Sequence, residues 1–356
     1  MHMADALLSP AVGGTMWGVT AGAIAYCSKK VRSETDDRKI PLMGVLGAFI
    51  FAAQMINFTI PVTGSSGHLG GGLILSILLG PYAAFLTIAS VLVVQAFFFA
   101  DGGLLALGCN IFNLGFFPAF IAYPFVYKKI VGGTPSPASI SAASMAAAVI
   151  ALQLGAFGAV METVLSGISA LPFSTFAIIM QPIHLAIGVV EGLVTASVIS
   201  FLYNTKPEIL QSAMESPPIG AHPIRNIVLG FLTVALLTGG IFSWFASEQP
   251  DGLEWSITKV TGQKELKGIA QGIHGTLAVL QERLSFLPDY SFRKATETNP
   301  AEMTASPSAG QEHKTEKKKS VGNRLGTSVS GIVGGTLTLG LLFLIGFMLK
   351  RRSQTA

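Results

Sequence analysis

The stretch LGGGLILSILLGPYAAFLTIASVLVVQAFFFA, which covers Leu69–Ala100, decides the fold class. Its 32 residues include no Asp, Glu, Lys or Arg, and it exceeds the roughly 20 residues that one helix needs to cross a bilayer. Gly80-Pro81 interrupts it. Proline breaks a helix because it lacks an N–H and its ring clashes with the preceding turn. We therefore predict two helices, about Leu69–Leu79 and Tyr82–Ala100, the first of them short.

The composition of the whole chain agrees with a membrane protein. Half of the 356 residues are hydrophobic and 12% are charged, whereas a soluble domain carries about 25% charged residues. The mean hydropathy is +0.59. The net charge of +4 comes from short basic clusters beside apolar runs, a pattern that sets membrane topology and does not indicate nucleic-acid binding.

Seven further apolar segments extend this pattern along the chain. We predict an all-α integral membrane protein with a seven-helix transmembrane core (residues 1–205), a cytoplasmic linker (206–225) and a C-terminal module (226–356). In the module, two more transmembrane helices flank an outer segment (247–327), in which Glu297–Gly322 has the composition of a flexible linker. The further segments are about Leu7–Tyr26, Pro41–Ile60, Leu104–Tyr127, Ala138–Leu165, Phe176–Tyr203, Asn226–Ala246 and Val329–Leu349.

Basic residues predict the orientation in the membrane. The loop Ser28–Ile40 holds five Lys or Arg residues, so we expect it inside the cell and the N-terminus outside. No Lys or Arg precedes Lys29, so no signal peptide is expected. The C-terminus, with Lys350-Arg351-Arg352, falls inside. The N-terminus, the loop Thr63–Gly70 and the segment 247–327 then share the outer side.

Met1-His2 offers a compact set of nitrogen ligands at that outer side. The α-amine of Met1, the deprotonated amide nitrogen of His2 and the ring Nδ1 of His2 can bind one ion in two fused chelate rings. These nitrogens lie nearly in one plane, and square-planar nitrogen coordination suits Ni(II) or Cu(II). His68, in a glycine-rich loop, is the best candidate for the fourth ligand. Against this interpretation, Met-His starts arise by chance and a lone loop histidine is usually solvated.

Two motifs resemble known families. The start MHMADALLSP (Met1–Pro10) and the loop PVTGSSGHLGG (Pro61–Gly71) resemble the CbiM/NikM family, the substrate-capture components of nickel and cobalt energy-coupling-factor transporters. This similarity covers about Met1–Tyr203. The stretch QPDGLEW (Gln249–Trp255) resembles the PDGLE signature of the small accessory N component.

The resemblance implies a function and a set of ligands. In the family, the metal is held by the terminal amine, by the amide and ring nitrogens of the second residue, and by a loop histidine, which correspond to Met1, His2 and His68. It further implies Ni²⁺ or Co²⁺ as transported substrate, no organic cofactor, and a prokaryotic cell membrane. The implied partners are a transmembrane coupling (T) component and ABC ATPase subunits.

Other polar residues leave alternatives open. Glu162, His184 and Glu191 fall within predicted helices, where ionisable groups are costly. They could serve an ion-gradient-driven secondary transporter, meet a partner, or lock helix packing. The sequence has neither a Walker A motif nor His-Glu-x-x-His, so ATP hydrolysis by this chain and an intramembrane metalloenzyme are not favoured. We assign no role to Asp101. Four amides are interpreted as ligand-orienting donors or as interhelical hydrogen bonds: Asn57, Gln95, Asn110 and Asn113.

Overall fold

A computed structural model describes residues 2–34, 39–169, 171–205, 225–263, 271–293 and 321–354. The N-terminal part contains a helical core with one β-hairpin. Its elements are α1 (Pro10–Glu34), α2 (Lys39–Gln54), β1 (Phe58–Ile60), β2 (Ser65–Gly67), α3 (Gly72–Leu79), α4 (Pro81–Phe99), α5 (Leu107–Val131), α6 (Pro137–Ser166) and α7 (Phe173–Thr205). The C-terminal part contains α8 (Arg225–Gly240), α9 (Gly252–Thr261), α10 (Gly272–Leu284) and α11 (Val321–Gln354).

The helices have the lengths and surfaces of membrane spans. Within the described ranges, α4, α5, α6, α7 and Arg324–Lys350 of α11 are long and apolar enough to cross a bilayer, and α2 and α8 are apolar but shorter. Large apolar side chains face outward from α6 and α7, where lipid would cover them: Leu165, Ile178, Leu193 and Phe201. The predicted all-α membrane fold is confirmed.

The predicted break at Gly80-Pro81 is present. Helix α3 ends at Leu79 and α4 begins at Pro81, the position where proline fits a helix best. Gly80 has φ +80°, a conformation that glycine adopts without steric cost. Helix α5 is π-helical over Phe112–Tyr127 and contains Pro118 and Pro124, whose missing N–H groups cannot join a regular α-helical ladder.

The predicted second helix was too long. It was expected to reach Ile60, but α2 ends at Gln54, and β1 and β2 form an antiparallel hairpin with Phe58 opposite Gly67. Pro61 disfavours helical backbone at the preceding residue. The residues Phe58-Thr59-Ile60 are also types that favour a strand. This hairpin carries the chain directly to His68.

The C-terminal module packs against the core through α2. Helices α8 and α11 both contact α2 and each other. A Cβ atom added to Gly331 would lie 2.5 Å from the Gly239 carbonyl oxygen, so glycine permits this close helix crossing. The predicted linker 206–225 falls, except for its last residue, outside the described residues. So does most of Glu297–Gly322.

Candidate metal centre

The segment that follows the N-terminus is fixed against the loop between α4 and α5. The backbone N–H of Met3 donates to Asn110 Oδ1 at 2.8 Å, and Gly103 N–H donates to the Met3 carbonyl at 2.9 Å. Ala106 N–H donates to Asp5 Oδ1 at 3.0 Å. These bonds place His2 beside the C-terminal end of α4. Met1 lies outside the described residues.

Buried polar side chains of α7 and α2 hold the loop that carries His68. Glu191 of α7 accepts hydrogen bonds from the backbone N–H groups of Gly70 (2.7 Å) and Gly71 (3.1 Å). Gln54 donates to the Gly70 carbonyl at 2.8 Å. The Gly70–Gly71 peptide, two residues beyond His68, is thereby bonded on both sides, which restricts the loop that carries the histidine.

The fold brings the two predicted histidines together. The ring centroids of His2 and His68 lie 5.0 Å apart with an interplanar angle of 15°. The His2 side chain is only 7% exposed, and His68 is buried. Burial lowers the pKa of both rings, that of His68 well below its usual value. The two imidazoles are therefore neutral near pH 7, which is the form that coordinates a metal ion.

A polar cavity of about 170 Å³ opens beside these rings. It is lined on one side by the core and on the other by the outer segment of the C-terminal module. Four acidic residues contribute to its wall and give it a negative potential that attracts cations. The lining residues are His2, Gln54, Met55, Asn57, His68, Asp101, Gln249, Asp251, Glu254, Asp289 and Tyr290.

The PDGLE motif reaches this cavity by adding to the hairpin. Ser66 N–H donates to the Pro250 carbonyl at 2.8 Å, and the Ser66 hydroxyl donates to the Gln249 carbonyl at 2.8 Å. Asp251 caps α9 by accepting from Glu254 N–H at 2.8 Å. Burial raises the pKa of the Asp251 carboxyl, whereas the hydrogen bond from the Glu254 N–H acts in the opposite direction and favours the carboxylate. The sequence indicated that this segment is on the outer side but not that it borders the site.

Asp101 is a residue of this site that sequence reasoning missed. Its Oδ1 lies 3.2 Å from His2 Nδ1, and its Oδ2 accepts a hydrogen bond from the Tyr290 hydroxyl. An aspartate at the outer end of an apolar helix is a weak signal, since charged residues commonly end such helices. Only the position of His2 reveals its role.

The remaining polar residues have separate partners. Asn113 donates to Glu162 at 2.7 Å, and His184 Nδ1 lies 2.8 Å from the Met180 carbonyl. His274, in α10, has Nε2 2.8 Å from the Leu8 carbonyl. In the described part of the chain, no group of three or more His, Cys, Asp and Glu side chains could hold a metal ion. The predicted donor set has two such side chains, and its other nitrogens belong to the main chain.

A bundle of apolar helices with two buried imidazoles beside an acidic cavity defines a polytopic membrane protein of the transport class. The family model "cobalt uptake substrate-specific transmembrane region" matches residues 2–209, and the PDGLE domain model matches residues 225–351. The first match covers more than half of the chain, which therefore belongs to the CbiM family, with a PDGLE domain at its C-terminal end.

Named relatives and a solved structure agree with this family assignment. A putative fused nickel transport protein NikMN of Archaeoglobus fulgidus is 29% identical over the full length of both chains. The fused nickel transport protein NikMN of Rhodobacter capsulatus is 30% identical over 82% of this chain and 88% of its own. A cobalt transport protein CbiM of Sorangium cellulosum is 29% identical over 59% of this chain and 94% of its own. A crystal structure titled as a truncated transition metal transporter matches with a TM-score of 0.52 and 28% identity, over 58% of this chain and 99% of that chain.

Proposed function

We propose that this chain is the substrate-capture component of an ATP-driven energy-coupling-factor importer for Ni²⁺ or Co²⁺. The observation that carries the proposal is the stacked pair of buried rings of His2 and His68, at a centroid distance of 5.0 Å. These residues are far apart in sequence, and each is fixed by hydrogen bonds of its own segment. Rigid support of this kind is what a metal site needs to hold its geometry.

The ion is held by nitrogen atoms. The α-amine of Met1, the amide nitrogen and Nδ1 of His2, and a ring nitrogen of His68 supply a donor set that approaches a square plane. Such a set favours Ni(II) over metals that prefer oxygen ligands. The acidic cavity beside the rings raises the local concentration of divalent cations. Relatives named as nickel transporters, which match 100% and 82% of this chain, and relatives named as cobalt transporters, which match 59% and 67% of it, support both metals as candidates.

The chain does not hydrolyse ATP and works with partners. We infer a transmembrane coupling component and separate ATPase subunits, since the sequence has no Walker A motif. The N-terminus and the metal centre face the outside, and the C-terminus faces the cytoplasm. An ion-gradient-driven transporter that uses Glu162, His184 and Glu191 is disfavoured, because both oxygens of Glu191 are engaged by backbone amides.

The test compares two forms of the purified full-length chain, one with its natural start and one extended by Gly-Ser before Met1. Both carry the same C-terminal tag. The extension converts the α-amine to an amide, so we expect stoichiometric Ni²⁺ binding in titration calorimetry to be lost. A visible absorption band of planar Ni(II) should vanish as well. Equal binding by the two forms would refute the N-terminal site.

The ATP-driven mechanism requires a second experiment. Nickel uptake is measured in cells that express the chain with its genomic coupling and ATPase partners, and with an ATPase whose P-loop lysine is replaced. We expect uptake only with the active ATPase. Uptake that persists with the inactive ATPase and stops on collapse of the ion gradient would favour the secondary transporter.

A further inference from the structure

Tyr290 of the outer segment is connected to His2 through the carboxylate of Asp101. The Tyr290 hydroxyl donates to Asp101 Oδ2, and Asp101 Oδ1 lies 3.2 Å from His2 Nδ1. An ionised carboxylate only accepts hydrogen bonds, so Nδ1 is the protonated ring nitrogen in this contact. Three side chains, from the outer segment, the end of α4 and the N-terminus, thus form a continuous series of polar contacts.

Asp101, the middle member of this series, is anchored by its backbone. Ala100 follows α4 with φ +54°, and Asp101 N–H donates to the Gln95 carbonyl at 3.1 Å, so the position of Asp101 is set by a helix end. Gln281 of α10 donates to the carbonyls of Ala96 (2.9 Å) and Gly102 (2.7 Å), which lie on either side of Asp101. The outer segment therefore also holds the backbone that carries the carboxylate.

Packing and hydrogen bonds hold Tyr290 in place although its backbone has a strained conformation. Its ring stacks on Phe99 at a centroid distance of 5.1 Å, and Leu287 N–H donates to the Phe98 carbonyl at 3.3 Å. Asp289 and Tyr290 have φ +50° and +55°. Two successive non-glycine residues in this left-handed region persist only where surrounding contacts fix them, and such positions concentrate at functional sites.

The contact with Asp101 competes with the chelate. Chelation through the terminal amine and the His2 amide requires the same nitrogen, Nδ1, because Nε2 is on the far side of the ring. We propose that Asp101 and Tyr290 restrain the His2 ring, and that metal capture exchanges the Nδ1–Asp101 contact for an Nδ1–metal bond while the ring proton moves from Nδ1 to Nε2. This inference rests on the proposed function. It assigns Asp101 and Tyr290 as positioning residues that let the outer segment control access of the ion to His2.

The restraint has a measurable consequence for binding. If only the released ring can bind, the apparent dissociation constant equals the intrinsic one divided by the fraction of released rings. Weakening the restraint raises that fraction. Association should become faster, while dissociation from the bound state, in which the contact is absent, should not change.

The first experiment uses Tyr290→Phe in the full-length chain in detergent. This variant keeps the ring that stacks on Phe99 and removes only the hydroxyl donor. NiCl₂ association is followed by stopped-flow absorbance, and dissociation by competition with EDTA. We expect the association rate constant to rise by roughly 3- to 10-fold, the range for the net contribution of one ordinary hydrogen bond. The dissociation rate and the absorption spectrum of the bound ion should stay as in the wild type.

Two further variants complete the test. Asp101→Asn removes the charge that holds Nδ1–H, and it should also raise the association rate, by an amount reduced by the loss of one of the four acidic residues of the cavity. Ser291→Ala removes a neighbouring hydroxyl that bonds only the Pro288 carbonyl, and it should leave both rates unchanged. Unchanged or slower association in both test variants, or faster dissociation, would overturn the restraint. Failure of the proposed function looks different, since the wild-type chain would then not bind Ni²⁺ through its N-terminus at all.

Discussion

Glu191 Oε2 accepts a 2.7 Å hydrogen bond from the backbone N–H of Gly70, although the two residues are 121 positions apart. This bond connects the middle of a membrane helix to the peptide just beyond His68. The same face of α7 packs against the hairpin, since a Cβ on Gly67 would lie 2.5 Å from the Ile187 side chain. Movement of α7 would therefore be transmitted directly to the ligand-bearing loop.

We predict that Glu191→Gln weakens Ni²⁺ binding by displacing this loop. One oxygen of glutamine can still accept a hydrogen bond, but its NH₂ group would face the second backbone N–H. Loss of one hydrogen bond to a charged group costs about 1.5–3 kcal/mol. We expect a lower thermal transition and a roughly tenfold weaker affinity in titration calorimetry.

The matched control for this variant is Glu162→Gln. Glu162 is also a buried carboxylate, but its partner is the Asn113 side chain, which donates to it at 2.7 Å. The side-chain oxygen of a glutamine at this position can still accept that hydrogen bond. Glu162→Gln should therefore leave the Ni²⁺ affinity unchanged. If both variants weakened binding equally, the effect of Glu191 would be one of general stability.

A second prediction separates the two histidines. His2→Gln removes the imidazole and, with it, one chelate ring, whereas His68→Gln removes only a monodentate ligand. Replacing a residue that only hydrogen-bonds to a metal ligand already lowers metal affinity by about 10- to 100-fold. We therefore expect at least that loss for His68→Gln and a larger one for His2→Gln, measured by competition with a chromophoric chelator.

Glutamine is chosen at position 2 for a practical reason. Initiator methionine is removed mainly before small residues, so alanine at this position would change the N-terminus itself. Mass spectrometry of the purified variants checks that Met1 is retained. A milder effect of His2→Gln than of His68→Gln would contradict the chelate.

Sequence reasoning located the helices well because their signal is local. The Gly80-Pro81 break and the apolar runs depend on neighbouring residues alone, and the structure has helices where they were predicted. The hairpin after Gln54 was missed because its strands are only three residues long and lie directly beside an apolar run. The motifs pointed to His2 and His68, whereas Asp101 and Tyr290 are separated by 189 positions and carry no local signal.

A third prediction concerns the protons released on binding. Burial lowers the pKa of His2 and His68, so at pH 6.5 the two rings release fewer protons on coordination than histidines with the ordinary pKa of about 6.5 would. The α-amine, with a usual pKa of about 7.7–8.0, is mostly protonated at this pH, and the His2 amide must also lose its proton. We therefore expect release of between about two and three protons for each Ni²⁺ bound at pH 6.5, closer to two.

Calorimetric titrations in buffers of different ionisation enthalpy count these protons. Rings with the ordinary histidine pKa of about 6.5 would be half protonated and together would add about one more proton. Release of about three protons would therefore argue against the lowered pKa values. Affinity should fall steadily below pH 6.5 as the amine and the amide become harder to deprotonate.

The last prediction concerns the C-terminal module. All three proposed ligands, Met1, His2 and His68, precede residue 69, so a chain truncated after Tyr203 retains every donor. A chain of comparable extent was solved for a relative, whose structure covers 58% of this chain, so we expect the truncated core to fold. Its equilibrium affinity for Ni²⁺ should stay within about tenfold of that of the full chain, on the tighter side because Tyr290 no longer restrains His2.

Uptake should behave differently from binding. Truncation removes the hydrogen bonds between Ser66 and the Gln249–Pro250 segment and the acidic wall provided by Asp251 and Glu254. The cavity then loses the groups that concentrate cations beside the rings. Nickel uptake in cells with the coupling partners should fall, and co-expression of residues 225–356 as a separate chain should restore part of it. If the truncated core instead stayed folded but lost equilibrium binding, the outer segment would have to supply a ligand. Asp251, which borders the cavity, would then be tested before His274, whose ring bonds the Leu8 carbonyl.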